Sequence, residues 1–232
     1  VAAARRRILQ ATAAAAVTVV LAACGTPPRT PVAYSITPAA TTSTAPPESV
    51  HPVTAAELGA SWHPGCPVGP EELRRVEVDY EGVDGQPHRG ELIVHRDLAQ
   101  QVIAIFDQLR QLHFPIAKML PPQHYPGAED ELSMEDDNTS AFNCRGIPGS
   151  QRWSQHAYGR AIDVNPLLNP SVHLDGRIEP TTSGPYLDRR RDDPGLLHDG
   201  DAAVRVFTDR GWTWGGHWHD PKDYQHFELP QS

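Results

Sequence analysis

The stretch that decides the fold runs from residue 154 to residue 163 and reads Ser-Gln-His-Ala-Tyr-Gly-Arg-Ala-Ile-Asp. It holds two residues that commonly bind metals, His156 and Asp163, and a distant Asp-Tyr-Gln-His at 223–226 adds His226. Catalytic zinc takes three protein ligands and leaves a fourth position for water, and imidazole with carboxylate is a suitable ligand set. The three residues therefore predict one zinc site.

The residues around Asp163 indicate how such a site would be held in place. Ala161, Ile162 and Val164 are apolar and predict a buried strand that carries Asp163. Gly159, which lies before this strand, has no side chain and lets the backbone of another segment approach closely. We therefore expect the ligands to lie on a rigid element.

Upstream of this stretch, two patterns predict a sheet with a helix packed on it. Residues 75–80 alternate between charged and apolar types, and Asp84-Gly85 separates them from a second segment at 90–95, which together predict a β-hairpin. Residues 97–113 carry apolar side chains at helical spacing, with Asp97 as the expected N-cap and Leu112 as the last apolar position. The predicted fold class is α+β, a small antiparallel sheet with packed helices.

Two further segments have no clear periodicity and are expected to be loops. Residues 121–138 are acidic and contain prolines, which favours a solvated surface loop, although a lid over the substrate is the alternative. Residues 172–201 form an insert rich in charged side chains. We expect both segments to shape the entrance of the site.

The N-terminal residues predict export and a lipid anchor. Arg5–Arg7 precede an uncharged, alanine-rich stretch at 8–23, which is the order of an export signal and is short for a membrane span. The sequence around Cys24, Leu-Ala-Ala-Cys-Gly, resembles a bacterial lipobox, which implies cleavage after residue 23, lipidation of Cys24 and anchoring outside the cytoplasmic membrane. The alternative is an ordinary cleaved signal peptide. Residues 24–49, rich in Pro, Thr, Ser and Ala, predict a disordered tether, and residues 50–232 the folded domain.

The chain has three cysteines, and lipidation of Cys24 would leave Cys66 and Cys144 as an even pair. An exported protein lies in an oxidising compartment, so the sequence predicts a disulfide between these two residues. Two buried free thiols are the alternative.

The pattern Ser-x-His-x-x-Gly-x-Ala-x-Asp with a downstream Asp-x-x-His resembles the M15 metallopeptidases, a family that includes D-alanyl-D-alanine carboxypeptidases and L-alanyl-D-glutamate endopeptidases. The similarity covers roughly residues 70–232 and extends to segments 142–145, 165–166 and 212–216. It implies a hedgehog/D-Ala-D-Ala peptidase-like zinc domain that acts on the peptide stems of peptidoglycan. It also implies that His156, Asp163 and His226 are the zinc ligands.

The resemblance also implies roles for residues near the ligands. Asp223 stands where the family has its catalytic carboxylate and is expected to act as general base, with orientation of a ligand histidine as the alternative. Glu228 is the next candidate for either role. Arg145 resembles the arginine that binds substrate carboxylate or polarises the scissile carbonyl, whereas an ordinary surface ion pair is the alternative. Ser154 is expected to orient the site by hydrogen bonding.

The segment 212–219 carries aromatic and histidine residues whose roles are less specific. Trp214 and His217 are expected near the substrate or behind the ligands, and His217 and His219 are expected outside the ligand set. Of the three tryptophans 212, 214 and 218, two are expected in the hydrophobic core.

Several other classes of function are excluded or disfavoured. The formal net charge of -9 argues against sequence-independent binding of nucleic acid. A serine carboxypeptidase needs Ser-x-x-Lys, but Pro115 and His219 stand three residues before the two lysines, Lys118 and Lys222. No histidine is followed by glutamate, so the His-Glu-x-x-His motif is absent. The remaining alternative is a non-catalytic, zinc-stabilised module that binds the cell wall or a signalling partner.

Overall fold

The computed structural model describes residues 49–230, so the predicted signal peptide, Cys24 and nearly all of the tether lie outside the described residues. The helices are α1 (Ala55–Leu58), α2 (Ala99–Gln111), α3 (Asp130–Glu135) and α4 (Ala202–Thr208). The strands are β1 (Val50–Pro52), β2 (Leu73–Gly82), β3 (Pro87–His95), β4 (Pro115–Ile116), β5 (Lys118–Met119), β6 (Asn138–Thr139), β7 (Ala161–Asp163), β8 (Ser171–Val172), β9 (Ile178–Glu179), β10 (Thr213–Trp214), β11 (Lys222–Asp223) and β12 (His226–Glu228). The predicted α+β class is confirmed. No helix within 49–230 is both long and apolar enough to cross a membrane.

The predicted hairpin is confirmed, with longer strands than the alternation alone indicates. β2 and β3 pair antiparallel from Leu73 opposite His95 to Glu81 opposite Pro87. In the turn, Gly85 adopts a φ of 71°, which glycine tolerates without strain, and the Gln86 N–H donates to Asp84 Oδ1 at 3.0 Å. β1 pairs antiparallel with β2, and β4 joins β2 in parallel, so a four-stranded sheet forms the scaffold.

Helix α2 buries the predicted apolar face, but its boundaries differ from the prediction. A 3-10 turn at Arg96–Leu98 precedes the helix, and the Asp97 N–H donates to His95 Nδ1 at 3.4 Å. The prediction of Asp97 as N-cap is therefore wrong, because the chain needs this turn to leave β3 before α2 begins. The prediction of Leu112 as the last apolar position of the helix is also wrong, since Leu112 lies after the helix end and is 43% exposed.

The prediction that residues 121–138 form an unstructured loop is wrong. The segment contains two 3-10 turns and helix α3, whose acidic first turn stabilises the helix N-terminus electrostatically. Ser133 and Met134 are buried on one side of α3. The Asn138 side chain fastens the end of the segment, since its Oδ1 accepts the Leu120 N–H at 2.8 Å. A six-residue helix is too short to give a readable periodicity.

Two hydrophobic clusters lie on the sheet. The larger contains residues of α2, α4, β7, β10 and β12, and it includes the stacked rings of Phe207 and Phe227 at 3.9 Å between centroids. The smaller contains Leu73, Ile93, Phe142 and Cys144. Because Phe142 is hydrogen-bonded through its backbone to Ile93 O at 3.0 Å, the segment that leads to Cys144 is fixed along the hairpin.

A disulfide joins Cys66 to Cys144, which is the pairing that the cysteine count predicts. The bond closes a loop with a sequence separation of 78 residues. On the chain-entropy model, a loop of this size stabilises the folded state by about 4 kcal/mol. We expect the Cys66→Ser/Cys144→Ser double variant to lose roughly this free energy of unfolding, as measured by urea denaturation with and without reductant. Equal stability of the variant and the oxidised wild type would contradict this expectation.

Candidate active site

The candidate site is built on the antiparallel pair of β7 and β12. His226 lies directly opposite Asp163 in this pair, so the strand register alone brings together two residues that are 63 positions apart in the chain. β10 pairs with the other side of β12 and completes a three-stranded sheet. Since Phe227 and Ile162 are fully buried, the two strands are held by the core.

His156 reaches the same place from a 3-10 turn at Gln155–Tyr158, capped by the Ser154 hydroxyl, which accepts the His156 N–H at 3.3 Å. Gly159 ends this turn with a φ of 66°, and its carbonyl accepts the His95 N–H at 2.8 Å. A Cβ at this position would lie 2.6 Å from the His95 nitrogen. The close backbone approach predicted for Gly159 is therefore present, and it fixes the turn against the hairpin.

The side chains of His156, Asp163 and His226 converge and are all buried. His156 Nε2 lies 3.0 Å from Asp163 Oδ2, and His226 Nδ1 lies 2.9 Å from Asp163 Oδ1. The two imidazole nitrogens are 3.2 Å apart, and one donor atom from each residue lies within 4.8 Å of the others. Two imidazoles and one carboxylate meeting at a point are a donor set that fits zinc.

The outer nitrogen of each histidine has a partner that fixes the ring. His156 Nδ1 lies 2.5 Å from the Ala141 carbonyl oxygen, and His226 Nε2 lies 3.3 Å from Glu228 Oε2. Each contact suits an N–H that donates outward and leaves the inner nitrogen free to bind a metal. Metal-binding histidines are typically held in this way, so the outer contacts support the fit of the site.

Charge also favours this cluster. Burial raises the pKa of Asp163, but the neighbouring His156 and His226 outweigh burial and hold this pKa well below its usual range. Burial lowers the pKa of His226, yet its hydrogen bonds with Asp163 and Glu228 raise that pKa to about 10. Without a metal, the Asp163 carboxylate therefore stabilises the positively charged form of His226. A bound metal would supply the positive charge beside Asp163 instead.

Asp223 lies on β11 and lines the same cleft as the three converging residues. Within the described part of the chain, its buried Oδ1 has no hydrogen-bond partner. Burial raises the pKa of Asp223 to about 7, although the charges of His226 and Arg145 lower it. Gly215 allows the backbone of Asp223 to pack closely against it, because a Cβ at residue 215 would meet the Asp223 carbonyl oxygen at 2.5 Å. An unpaired carboxyl group facing a cleft is available for proton transfer.

Arg145 also lines the cleft, where it forms an ion pair with Asp130. Asp130 was not predicted from the sequence as a site residue. Arg145 Nη2 lies 2.7 Å from Asp130 Oδ2 on α3, and the Arg145 carbonyl accepts the Ser154 N–H at 3.1 Å. The Nε of Arg145 is buried and unpaired among residues 49–230. The available signal for Asp130 was only an acidic residue in an aperiodic segment, which is too weak to single it out.

The cleft has a volume of about 960 Å³ and opens to solvent. The β8–β9 hairpin of the predicted insert forms one wall, with His173, Arg177 and Glu179, and α3 contributes Asp130 and Met134. Both segments that were expected to shape the entrance, residues 121–138 and 172–201, therefore contribute to it. Trp218 lines the cleft beside His226, with 5.2 Å between ring centroids.

Two predicted site residues, Trp214 and His217, do not line the cleft. Trp214 is 2% exposed in the core, where its indole N–H donates to the Tyr224 carbonyl at 2.9 Å, and Trp212 is also buried. The expectation that two of the three tryptophans are core residues is thus confirmed. Trp214 does not line the cleft but lies opposite Phe227 in the β10–β12 pair, behind the strand that carries His226, which is the second of the two positions expected for it. The His217 side chain is 53% exposed and pairs with Asp199 at 2.8 Å. It does not line the cleft, because its 3-10 turn directs it outward.

A second group of potential metal-binding atoms, His63 with Cys66 and Cys144, lies beside the smaller core. The two sulfur atoms are joined in the disulfide. A disulfide sulfur lacks the thiolate charge with which cysteine binds metals, so this group does not compete with the site in the cleft.

Comparison with known proteins gives one match. Residues 148–229 match an M15 peptidase family model described as D-alanyl-D-alanine carboxypeptidase. The matched residues include all three converging side chains as well as Asp223 and Glu228, whereas Arg145 lies just before them. No curated protein and no solved structure gives a match.

Proposed function

The chain belongs to the M15 peptidase family through residues 148–229, and from this premise we propose that it is a zinc-dependent peptidase that hydrolyses the peptide stems of bacterial peptidoglycan. The observation that carries the proposal is the buried convergence of His156, Asp163 and His226 next to the unpaired Asp223 carboxyl group. Three metal-binding side chains with a spare carboxylate suit a catalytic metal better than a structural one, which tends to have four protein ligands.

The proposed metal is a single zinc ion held by His156 Nε2, His226 Nδ1 and a carboxylate oxygen of Asp163. When bound, zinc supplies Lewis-acid chemistry that activates water and polarises a carbonyl group. Ala141 and Glu228 keep the two imidazoles oriented, as their distances of 2.5 Å and 3.3 Å indicate. We further propose a hedgehog/D-Ala-D-Ala peptidase-like arrangement, supported by the short antiparallel sheet that carries the ligands.

Asp223 is proposed to move the proton. Its carboxylate accepts a proton from the attacking water and then delivers it to the leaving amine, so that no covalent intermediate with the protein is needed. The carboxyl group is available for this task because Asp223 lines the cleft and its Oδ1 has no hydrogen-bond partner among the described residues.

Arg145 is proposed to bind the substrate. Its planar guanidinium can hold either a peptide carboxylate or the scissile carbonyl oxygen. Asp130 holds one end of the guanidinium and leaves the buried Nε unpaired. Asp130 would then be a positioning residue for Arg145.

The proposed role of Arg145 predicts a loss of activity when its side chain is removed. We expect Arg145→Ala to lower kcat/KM by about ten- to hundred-fold, the value of a charge-assisted hydrogen bond, while zinc content stays unchanged. Asp130→Asn should cause a smaller loss, roughly three- to ten-fold and mainly in KM, because Arg145 keeps its charge but loses its orientation. Arg145→Lys is the matched control for charge without the planar fork. Unchanged kinetics in Arg145→Ala would reduce Arg145 to an ordinary ion pair.

The bond that is cut can be identified directly. The zinc-loaded protein is incubated with muropeptides that carry pentapeptide stems, and the products are identified by mass spectrometry. Loss of one D-Ala would identify a carboxypeptidase, and release of the stem after L-Ala an L-alanyl-D-glutamate endopeptidase. No cleavage by a protein that holds stoichiometric zinc would overturn the proposal and favour the non-catalytic wall-binding or signalling module.

We also propose that the protein is an extracytoplasmic lipoprotein anchored to the cell membrane through Cys24, with residues 1–23 as its signal peptide and 24–49 as a tether to the domain at 50–232. The basis is the arginine-led apolar stretch and the lipobox-like sequence around Cys24. We expect Cys24→Ser to shift the protein from the membrane fraction to the medium, as seen by immunoblotting of fractions. A variant that stays with the membrane would contradict the lipid anchor.

A further inference from the structure

Gln225 is a buried polar residue for which the mechanism above has no role. It lies next to His226, is 3% exposed and lines the cleft. Its side-chain Oε1 is buried and has no hydrogen-bond partner within residues 49–230. Its backbone is fixed, because the Gln225 carbonyl accepts the Val164 N–H at 3.0 Å.

An unpaired amide oxygen in this position is costly for the folded protein. A buried carbonyl oxygen without a partner loses the hydrogen bond that water would provide, and such groups are rare in folded proteins. An apolar side chain of the same length would fill the space without this cost. Packing therefore does not account for a glutamine here, which points to a partner that arrives with the substrate.

The surroundings indicate what kind of partner Gln225 accepts. Asp163, Asp223 and Glu228 also line the cleft, so acidic groups already surround the position. A neutral amide adds a hydrogen-bond acceptor without a further negative charge. The donor that every peptide substrate brings into such a cleft is its backbone N–H.

We propose that Gln225 is a specificity-determining residue whose side-chain amide turns towards the bound peptide, so that Oε1, buried in the free protein, accepts a hydrogen bond from a backbone N–H near the bond that is cut. The proposal rests on the proposed peptidase function and adds to it a site of backbone recognition. A site built around an acceptor discriminates against a ligand that lacks the matching donor, because the buried oxygen then stays unpaired.

The test combines a protein variant with altered substrates. Gln225→Met keeps the side-chain length and removes the acceptor, and Gln100→Met, at an exposed glutamine on α2 outside the cleft, is the matched control. The full-length proteins are assayed on a synthetic stem pentapeptide and on analogues in which one backbone N–H at a time is replaced by an ester oxygen. Zinc content and melting temperature are measured on the same samples.

We expect Gln225→Met to bind zinc and to melt at or above the wild-type temperature, while its kcat/KM falls by about ten-fold or more. One ester analogue should be a poor substrate for the wild type and for Gln100→Met. The same analogue should lower the kcat/KM of Gln225→Met little further. If every ester analogue affects the wild type and Gln225→Met equally, the proposal is overturned while the peptidase function stands. A wild type that cleaves no stem peptide would instead remove the function on which the proposal rests.

Discussion

Replacement of His226 by Ala is expected to remove zinc from the protein and with it all measurable hydrolysis of stem peptides. His226 sits opposite Asp163 in the β7–β12 pair, and no other described histidine reaches this cluster except His156. With two donors left, zinc affinity should fall by more than about a hundred-fold, which is the loss that removal of a mere supporting residue can cause. Zinc content by atomic absorption and turnover by mass spectrometry check the result.

The matched control is His217→Ala, which removes an exposed histidine from the same part of the sequence. We expect it to keep stoichiometric zinc and full activity. Because the buried Asp163 would lose one of its two imidazole partners, the fold of His226→Ala must be checked by circular dichroism. A folded His226→Ala protein that retains one zinc per chain would contradict the assignment of the ligands.

The Asp223→Asn variant should have the second large effect, a fall in kcat of about a hundred- to ten-thousand-fold with zinc still bound. Asparagine has nearly the same shape but cannot accept a proton, so the loss isolates proton transfer from binding. The buried and unpaired Oδ1 of Asp223 has no described partner that could replace it. Single-turnover kinetics on a stem peptide and zinc titration together measure the effect.

The pattern of loss separates the two roles that the sequence leaves open for Asp223. A general base affects kcat, whereas a carboxylate that only orients a ligand histidine affects zinc affinity. Asp199→Asn, at an exposed residue paired with His217, is the control for a lost surface charge. Wild-type kcat in Asp223→Asn would exclude Asp223 as the base and turn attention to Glu228, which contacts His226 at 3.3 Å.

The sequence predicted the centre of the site better than its surroundings. His156, Asp163 and His226 are readable because metal-binding residue types at a family-like spacing are rare by chance. The hairpin and α2 are readable because their apolar residues follow the periods of a strand and of a helix. Glu228 and Ser154 also contact the converging residues as expected.

Residues that act through tertiary contacts were missed or misplaced. Asp130 lies on a helix of six residues, too short for a periodic signal, and meets Arg145 only in the folded chain. Trp214 and His217 stand close to His226 in sequence, yet β10 carries Trp214 into the core and the 3-10 turn after it directs His217 to solvent. Gln225 differs, because its type and position in the motif were visible, but its burial and missing partner were not.

The most direct test of the central claim is to strip the protein of metal with a chelator, return zinc in known amounts and follow hydrolysis of a stem pentapeptide. The account predicts no activity in the stripped protein and full recovery at about one zinc per chain, the number that a three-ligand site holds. Full activity without metal would contradict the account, as would a protein that binds one zinc and still cuts no stem peptide.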